Sequence, residues 1–283
     1  MESRNPVIAR MEKEAQRNGG YAGFGTATAT ATAPAPGGTG VQPGVPLQAQ
    51  PLGTPMTIND VIVRTAAMFI PLLITAYITW TVELSYGWVI VAAFVAMGLA
   101  FWGLLAKKVR PPVFLLYGAV EGVFIGGTSY WFQQWVYNSQ FAQGKDTTNI
   151  VAQAVIGTLA AFLAVLVLYA TRIIKVTGTF KKMMLIAMFA YLGIAVVSLF
   201  SAFIFGTGDG WGFFGVGGLG LLLCAAGVLL AAFSLALDFD AIEKSIAYGL
   251  PEQESWRLAL GLTVTLVWLY LEILRLLAIL NSR

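Results

Sequence analysis

Carboxylates at unusual positions are the chemistry-bearing residues of this chain. Asp238 and Asp240 close a long apolar run, 211–237, and the next run, 258–280, carries Glu272 well inside it. Glu121 sits near the middle of another, 112–136. A charged carboxylate near the centre of a membrane helix costs about 2.5–3.5 kcal/mol on insertion scales. Such residues therefore face a protein interior, pair, or mark a path for ions or protons. Glu272 and Arg275 share a helix face at i,i+3 spacing and are expected to pair. Asp238 and Asp240 stand about 200° apart around a helix, so only one can face a bundle while the other meets water. Gly118 and Gly122 flank the face of Glu121, which predicts a closely packed neighbouring helix there.

Composition says what must position these acids. The chain is 58% hydrophobic and 11% charged, with a mean hydropathy of +0.76, whereas soluble domains carry about 25% charged residues. Seven apolar runs follow one another: 61–82, 87–106, 112–136, 151–171, 184–205, 211–237 and 258–280. Each is long enough to cross the hydrocarbon core as a helix, which takes roughly 20 residues. The expectation is an all-α, polytopic membrane protein with one domain, residues 56–283, embedded in the lipid bilayer. Residues 1–55 are polar and partly low-complexity, with the run from Thr26 to Gly38 rich in Thr, Ala and Pro. They are expected to be a disordered tail. Thr57 and Asp60 are spaced as a capping box that starts the first span, and Pro71 lies in that span's middle.

Most of the 17 basic residues fall before span 1 or between spans 2 and 3, 4 and 5, and 6 and 7. The positive-inside bias then predicts a multi-pass protein of the cytoplasmic membrane with its N-terminus in the cytoplasm. This basicity reads as topology, so no nucleic-acid partner is expected. The chain has no histidine, which excludes histidine-based metal sites and leaves any pH response to carboxylates. Cys224 is the single cysteine, so no internal disulfide forms. No metal site, cofactor or enzymatic activity is expected. Gly215-Val-Gly217-Gly-Leu-Gly220 fits a dinucleotide fingerprint, but it lies in an apolar span without the strand the motif needs. Gly206-Thr-Gly208-Asp209 matches one half of an intramembrane aspartyl protease signature, and its Tyr-Asp counterpart is absent from the sequence.

Three stretches taken together carry a family resemblance: Leu237-Asp-Phe-Asp-Ala-Ile-Glu243, Leu269-Tyr-Leu-Glu-Ile-Leu-Arg-Leu-Leu277 and Tyr117-Gly-Ala-Val-Glu-Gly122. They resemble the Bax inhibitor-1 family, in its bacterial Bax inhibitor-1/YccA-like branch, as do Asn5-Pro-Val7 and Gly20-Tyr-Ala-Gly-Phe24. The resemblance implies a seven-helix bundle with span 7 surrounded by the other six. It also implies a pH-sensitive calcium leak channel gated by two acids that share a proton, one at the end of span 6 and one in span 7. Asp240 matches the first, with Asp238 beside it, while Glu121 and Glu272 would be inner-path acids. The span 7 position falls on Thr265 or Glu272, depending on which flanking residues are matched. Depth favours Thr265, about 12 Å past Arg257, over Glu272 at about 22 Å. The alternative implied by the YccA-like members is a non-conducting interaction protein of the stress response. It would bind a membrane protease, with the tail as the docking element.

Overall fold

The computed structural model describes residues 54–138, 150–205, 212–215 and 217–281. The expected tail lies outside the described residues up to residue 53, as do Asp209 and Trp211. Among the described residues, seven helices are long and apolar enough to span a membrane. They are α1 (Ile58–Val82), α2 (Tyr86–Leu105), α3 (Pro111–Asn138), α4 (Ile150–Ala170), α5 (Gly178–Phe205), α6 (Gly218–Ala247) and α7 (Ser255–Asn281).

The local signals explain the boundaries. Thr57 caps α1: the Asp60 amide donates to its hydroxyl, and the Thr57 amide donates to the Asp60 carboxylate at 2.8 Å. Pro71 is accommodated inside α1, where Thr75 Oγ1 reaches the carbonyls of Pro71 and Leu72 and, across the interface, that of Ala119 in α3. The α4 helix ends on Arg172, whose backbone adopts φ 58°. The Ile173 amide closes onto Leu168 O at 3.0 Å and the Arg172 amide onto Tyr169 O at 2.9 Å, a Schellman-type ending.

The sequence reading ended span 6 at residue 237, but α6 runs ten residues further, to Ala247. Phe239, Ile242 and Ile246 keep an apolar stripe going at helical spacing. Ile242 and Ile246 pack with Met56, Val61 and Leu258. Asp240 and Lys244 satisfy each other one turn apart. Asp238 and Asp240 therefore lie inside a helix, and the connection to α7 shrinks to residues 248–254. The same helix begins later than expected. Gly220 approaches Gly215 O so closely that no Cβ would fit, and the glycine run serves as a tight turn into α6.

Helix α7 is the core of the bundle, with about half of its membrane window buried. Leu269, Tyr270, Ile273, Leu274 and Ala278 pack with Ala231 and Leu235 of α6 and with Ile150 and Ala154 of α4. Nearer its start, Ala259 and Leu260 join Phe114 and Tyr117 of α3, Met68 of α1 and Ala96 of α2. Tyr191 connects α5 to α7. The α1–α3 contact depends on glycine. A Cβ on Gly118 would lie 2.5 Å from Met68 O, and one on Gly122 or Gly126 would collide with the backbone of Leu72 or Ala76.

The start of α1 and the connections α2–α3, α4–α5 and α6–α7 meet at one end of the bundle, here called the basic end. Arg257 donates to Gly103 O and Ala106 O at the end of α2. Arg64 pairs with Glu252 and lies over the Trp256 ring. The segment at Thr54–Met56 joins Leu250–Glu252 through backbone hydrogen bonds of 2.9 Å.

Candidate functional site

At the basic end of α6 the two aspartates point different ways, but neither simply meets water as expected: Asp240 is only 7% exposed, covered by lysines. The residue that faces α7 is Asp238, not Asp240. Asp238 stands next to Thr265 of α7, and Asp238 Oδ1 lies beside Gly261, 3.8 Å from where a Cβ on that glycine would stand. The second oxygen, Oδ2, is buried and has no hydrogen-bond partner. The Thr265 hydroxyl also reaches Gly261 O at 3.1 Å. A hydroxyl has one proton to donate, so Thr265 serves either the carboxylate or the carbonyl.

Asp240 faces α5 instead. Lys181 Nζ lies 2.5 Å from Oδ2 and Lys244 Nζ 2.8 Å from Oδ1. The sequence reading set Asp240 against Thr265; in the structure two lysines occupy it. One turn on, Glu243 accepts from Tyr169 Oη and pairs with Arg172 at 2.8 Å, fastening α6 to the end of α4.

Glu121 is buried in α3, with the Tyr117 hydroxyl one turn earlier beside it. Its level follows from its neighbours. Tyr117 packs with Ala259 and Leu260, whereas Ser129 Oγ meets Tyr270 Oη at 2.6 Å. Glu121 thus lies beside the stretch of α7 that carries Thr263 and Thr265, at about the depth of Asp238.

Glu272 belongs to a different layer, towards the other end of the bundle. Tyr191 Oη and Trp268 Nε1 donate to its Oε1 at 2.7 and 3.1 Å, and Arg275 pairs with Oε2. Arg275 also donates to Tyr191 Oη at 2.9 Å and to Cys224 Sγ at 2.8 Å, and it sits 4.4 Å above the Phe214 ring. Gly227 makes the room, since a Cβ there would be 2.7 Å from the Glu272 carboxylate. The expected Glu272–Arg275 pair is present, within a network that also holds Tyr191, Trp268 and Cys224. Of these partners, sequence reasoning missed all three, Tyr191, Trp268 and Cys224. Trp268 stands four residues before Glu272, a spacing that could have signalled it.

No hydrogen bond or ion pair among the described residues joins Asp238, Glu121 and Glu272 to one another. Nor does any group of three or more Asp, Glu or Cys side chains there form a metal-binding cluster. The geometry thus has one layer of buried carboxyls around Thr265 and a self-neutralised pair beyond it.

Residues 5–282 match the model of the family described as Bax inhibitor 1 like. The chain belongs to that family. No curated protein matches it. Family membership and seven apolar helices make this Bax inhibitor-like chain a multi-pass membrane protein in a lipid bilayer.

Proposed function

We propose that this Bax inhibitor-like protein passes cations, calcium among them, down their gradient across the cytoplasmic membrane, with its N-terminus in the cytoplasm. The role is non-enzymatic, and Asp238 is the pH-sensitive element of the gate. The observation that carries the reading is the unpartnered Oδ2 of Asp238, buried against α7 beside Thr265. Hard cations need oxygen ligands, and the layer of Asp238, Glu121 and the threonine hydroxyls supplies oxygens without closing into a storage site. The basic residues of the α2–α3 and α4–α5 connections support the orientation through the positive-inside bias.

The gate works with one acid and one hydroxyl. When Asp238 is ionised, the Thr265 hydroxyl turns to donate to it. When Asp238 is protonated, it donates to Thr265 Oγ1, and Thr265 returns its own proton to Gly261 O. Each proton taken up changes the charge of the path and the attachment of α6 to α7 together. Asp240 holds α6 to α5 from outside this step.

Flux of calcium from liposomes carrying the full chain tests the reading. Asp238→Asn keeps the shape but fixes the neutral form, so the leak should become independent of pH from below to above neutrality. An unchanged pH profile in Asp238→Asn would remove Asp238 from the gate. No flux above that of empty liposomes would end the conduction reading and favour a non-conducting partner of a membrane protease.

A further inference from the structure

A large groove among the described residues is not part of that path. It measures about 1200 Å³ and opens between α1 and α4, floored by α7 and by Ser129 and Gly126 of α3. Its size is at or above the range of about 300–1,000 Å³ for pockets that hold small ligands. Its walls are mostly apolar within the spans, the hydroxyls of Thr65, Ser129 and Thr158 apart, and many of them are exposed, including Ile62, Tyr77 and Leu159. On α1 the lining runs from Ile58 to Trp80, about 33 Å at 1.5 Å per residue, which is the thickness of the hydrocarbon core. A bilayer-facing groove of this length and polarity is filled by acyl chains.

Its mouth at the basic end is not generic. There the lining turns polar and presents Tyr169, Arg172 and Glu243 side by side. The Arg172 guanidinium and the Glu243 carboxylate are 2.8 Å apart and both remain partly open, at 70% and 46% side-chain exposure. Arg172 also occupies a left-handed backbone position, φ 58°, that a helix ending of this kind normally gives to glycine. Glu83 ends α1 in the same way, but of the two it is the Arg172 side chain that sits at the groove mouth.

We propose that the α1–α4 groove is a binding site for a membrane phospholipid with a primary-amine headgroup, phosphatidylethanolamine. The phosphate lies on Arg172, whose forked donors suit it. The headgroup ammonium donates to Glu243, which Tyr169 Oη holds in place. The acyl chains enter the groove past Ile242 and Ile246. The pair is neutral overall, so an anionic headgroup gains no net attraction, and a choline headgroup has no N–H to offer the carboxylate. This site stands whether or not cations pass through the bundle.

Native mass spectrometry of the full chain, titrated in detergent with single phospholipids, tests the assignment. Phosphatidylethanolamine should bind about tenfold more tightly than phosphatidylcholine or phosphatidylglycerol, the value of one charge-assisted hydrogen bond. Glu243→Gln leaves Arg172 unopposed and should move the preference to phosphatidylglycerol. Arg172→Gly removes the guanidinium while relaxing the backbone, so the fold is retained and the preference is lost. Leu159→Trp fills the groove away from both charges and should weaken all three lipids. Equal binding of the three lipids, a preference unaltered by Glu243→Gln and Arg172→Gly, or a protein helix retained in the groove in place of lipid would each overturn the proposal.

Discussion

Replacing Arg275 with Met isolates what the Glu272 network contributes. The pair is enclosed in the bundle, with side-chain exposures of 18% for Arg275 and 6% for Glu272. Removing one partner of a buried pair strands the other charge and costs about 3–5 kcal/mol. The loss falls at the lower end, because Glu272 keeps the donors Tyr191 and Trp268 and methionine fills most of the vacated volume. Arg275→Met should therefore cost about 3 kcal/mol, including the contact over Phe214. Glu272→Gln alone leaves a buried guanidinium facing an amide and should cost about 2 kcal/mol. The double variant has no buried charge, and the amide oxygen introduced by Glu272→Gln can still accept from Tyr191 and Trp268, so its cost should fall to about 1 kcal/mol. Reversible denaturation in mixed micelles gives the full double-mutant cycle. Additive losses, near about 5 kcal/mol for the double variant, would refute the reasoning, since the two residues would then act independently.

Two further perturbations test the packing and the outer ion pairs. Gly122→Ala should destabilise by about 1–3 kcal/mol, because its Cβ meets Leu72 O and Thr75 Oγ1; Gly98→Ala meets nothing within 4 Å and should gain up to about 1 kcal/mol from helix propensity. Thermal unfolding of the two variants side by side gives the sign. Lys181→Met and Lys244→Met should each cost under about 1 kcal/mol, since Asp240 keeps one lysine in either. The double variant should lose more than the sum, and strict additivity in the same assay would show that the lysines do not share Asp240.

The number and order of the helices were legible because seven apolar runs leave the backbone no other way to satisfy its hydrogen bonds in a bilayer. The capping box at Thr57 and the close approach at Gly118 and Gly122 were legible because both are signalled by residues within one turn, although the glycines' contact is with α1. The ends of α6 were not. An apolar-run criterion stops at the first charge, yet a helix continues wherever polar side chains can be satisfied. Asp240 with Lys244, and Glu243 with Tyr169 and Arg172, satisfy theirs across the last three turns. The missed partners sit on α4 and α5, far away in sequence, and nothing near residue 237 announces them.

The choice between Asp238 and Asp240 turns on the phase of α6, and here the sequence held a signal that charge obscured. Gly227, Ala231, Ser234 and Leu235 are buried, and small residues at such spacing mark the side on which helices approach. Carried on by three and four residues, the same stripe passes through Asp238 to Ile242. Asp240 lies off it, on the side where Lys181 of α5 and Lys244 arrive. Matching flanking residues to a family pattern assigned the inward role to Asp240, because identity of neighbours says nothing about rotation. Helix phase does: residues 231, 234, 235, 238 and 242 share a face, and the acid among them is the one that reaches Thr265. An acid on the small-residue stripe is dehydrated by a neighbouring helix, whereas one beside it is free to find lysines at the bundle's end. That difference follows from about 100° per residue alone, and it separates the carboxyl turned onto α7 from the one buried under two lysines.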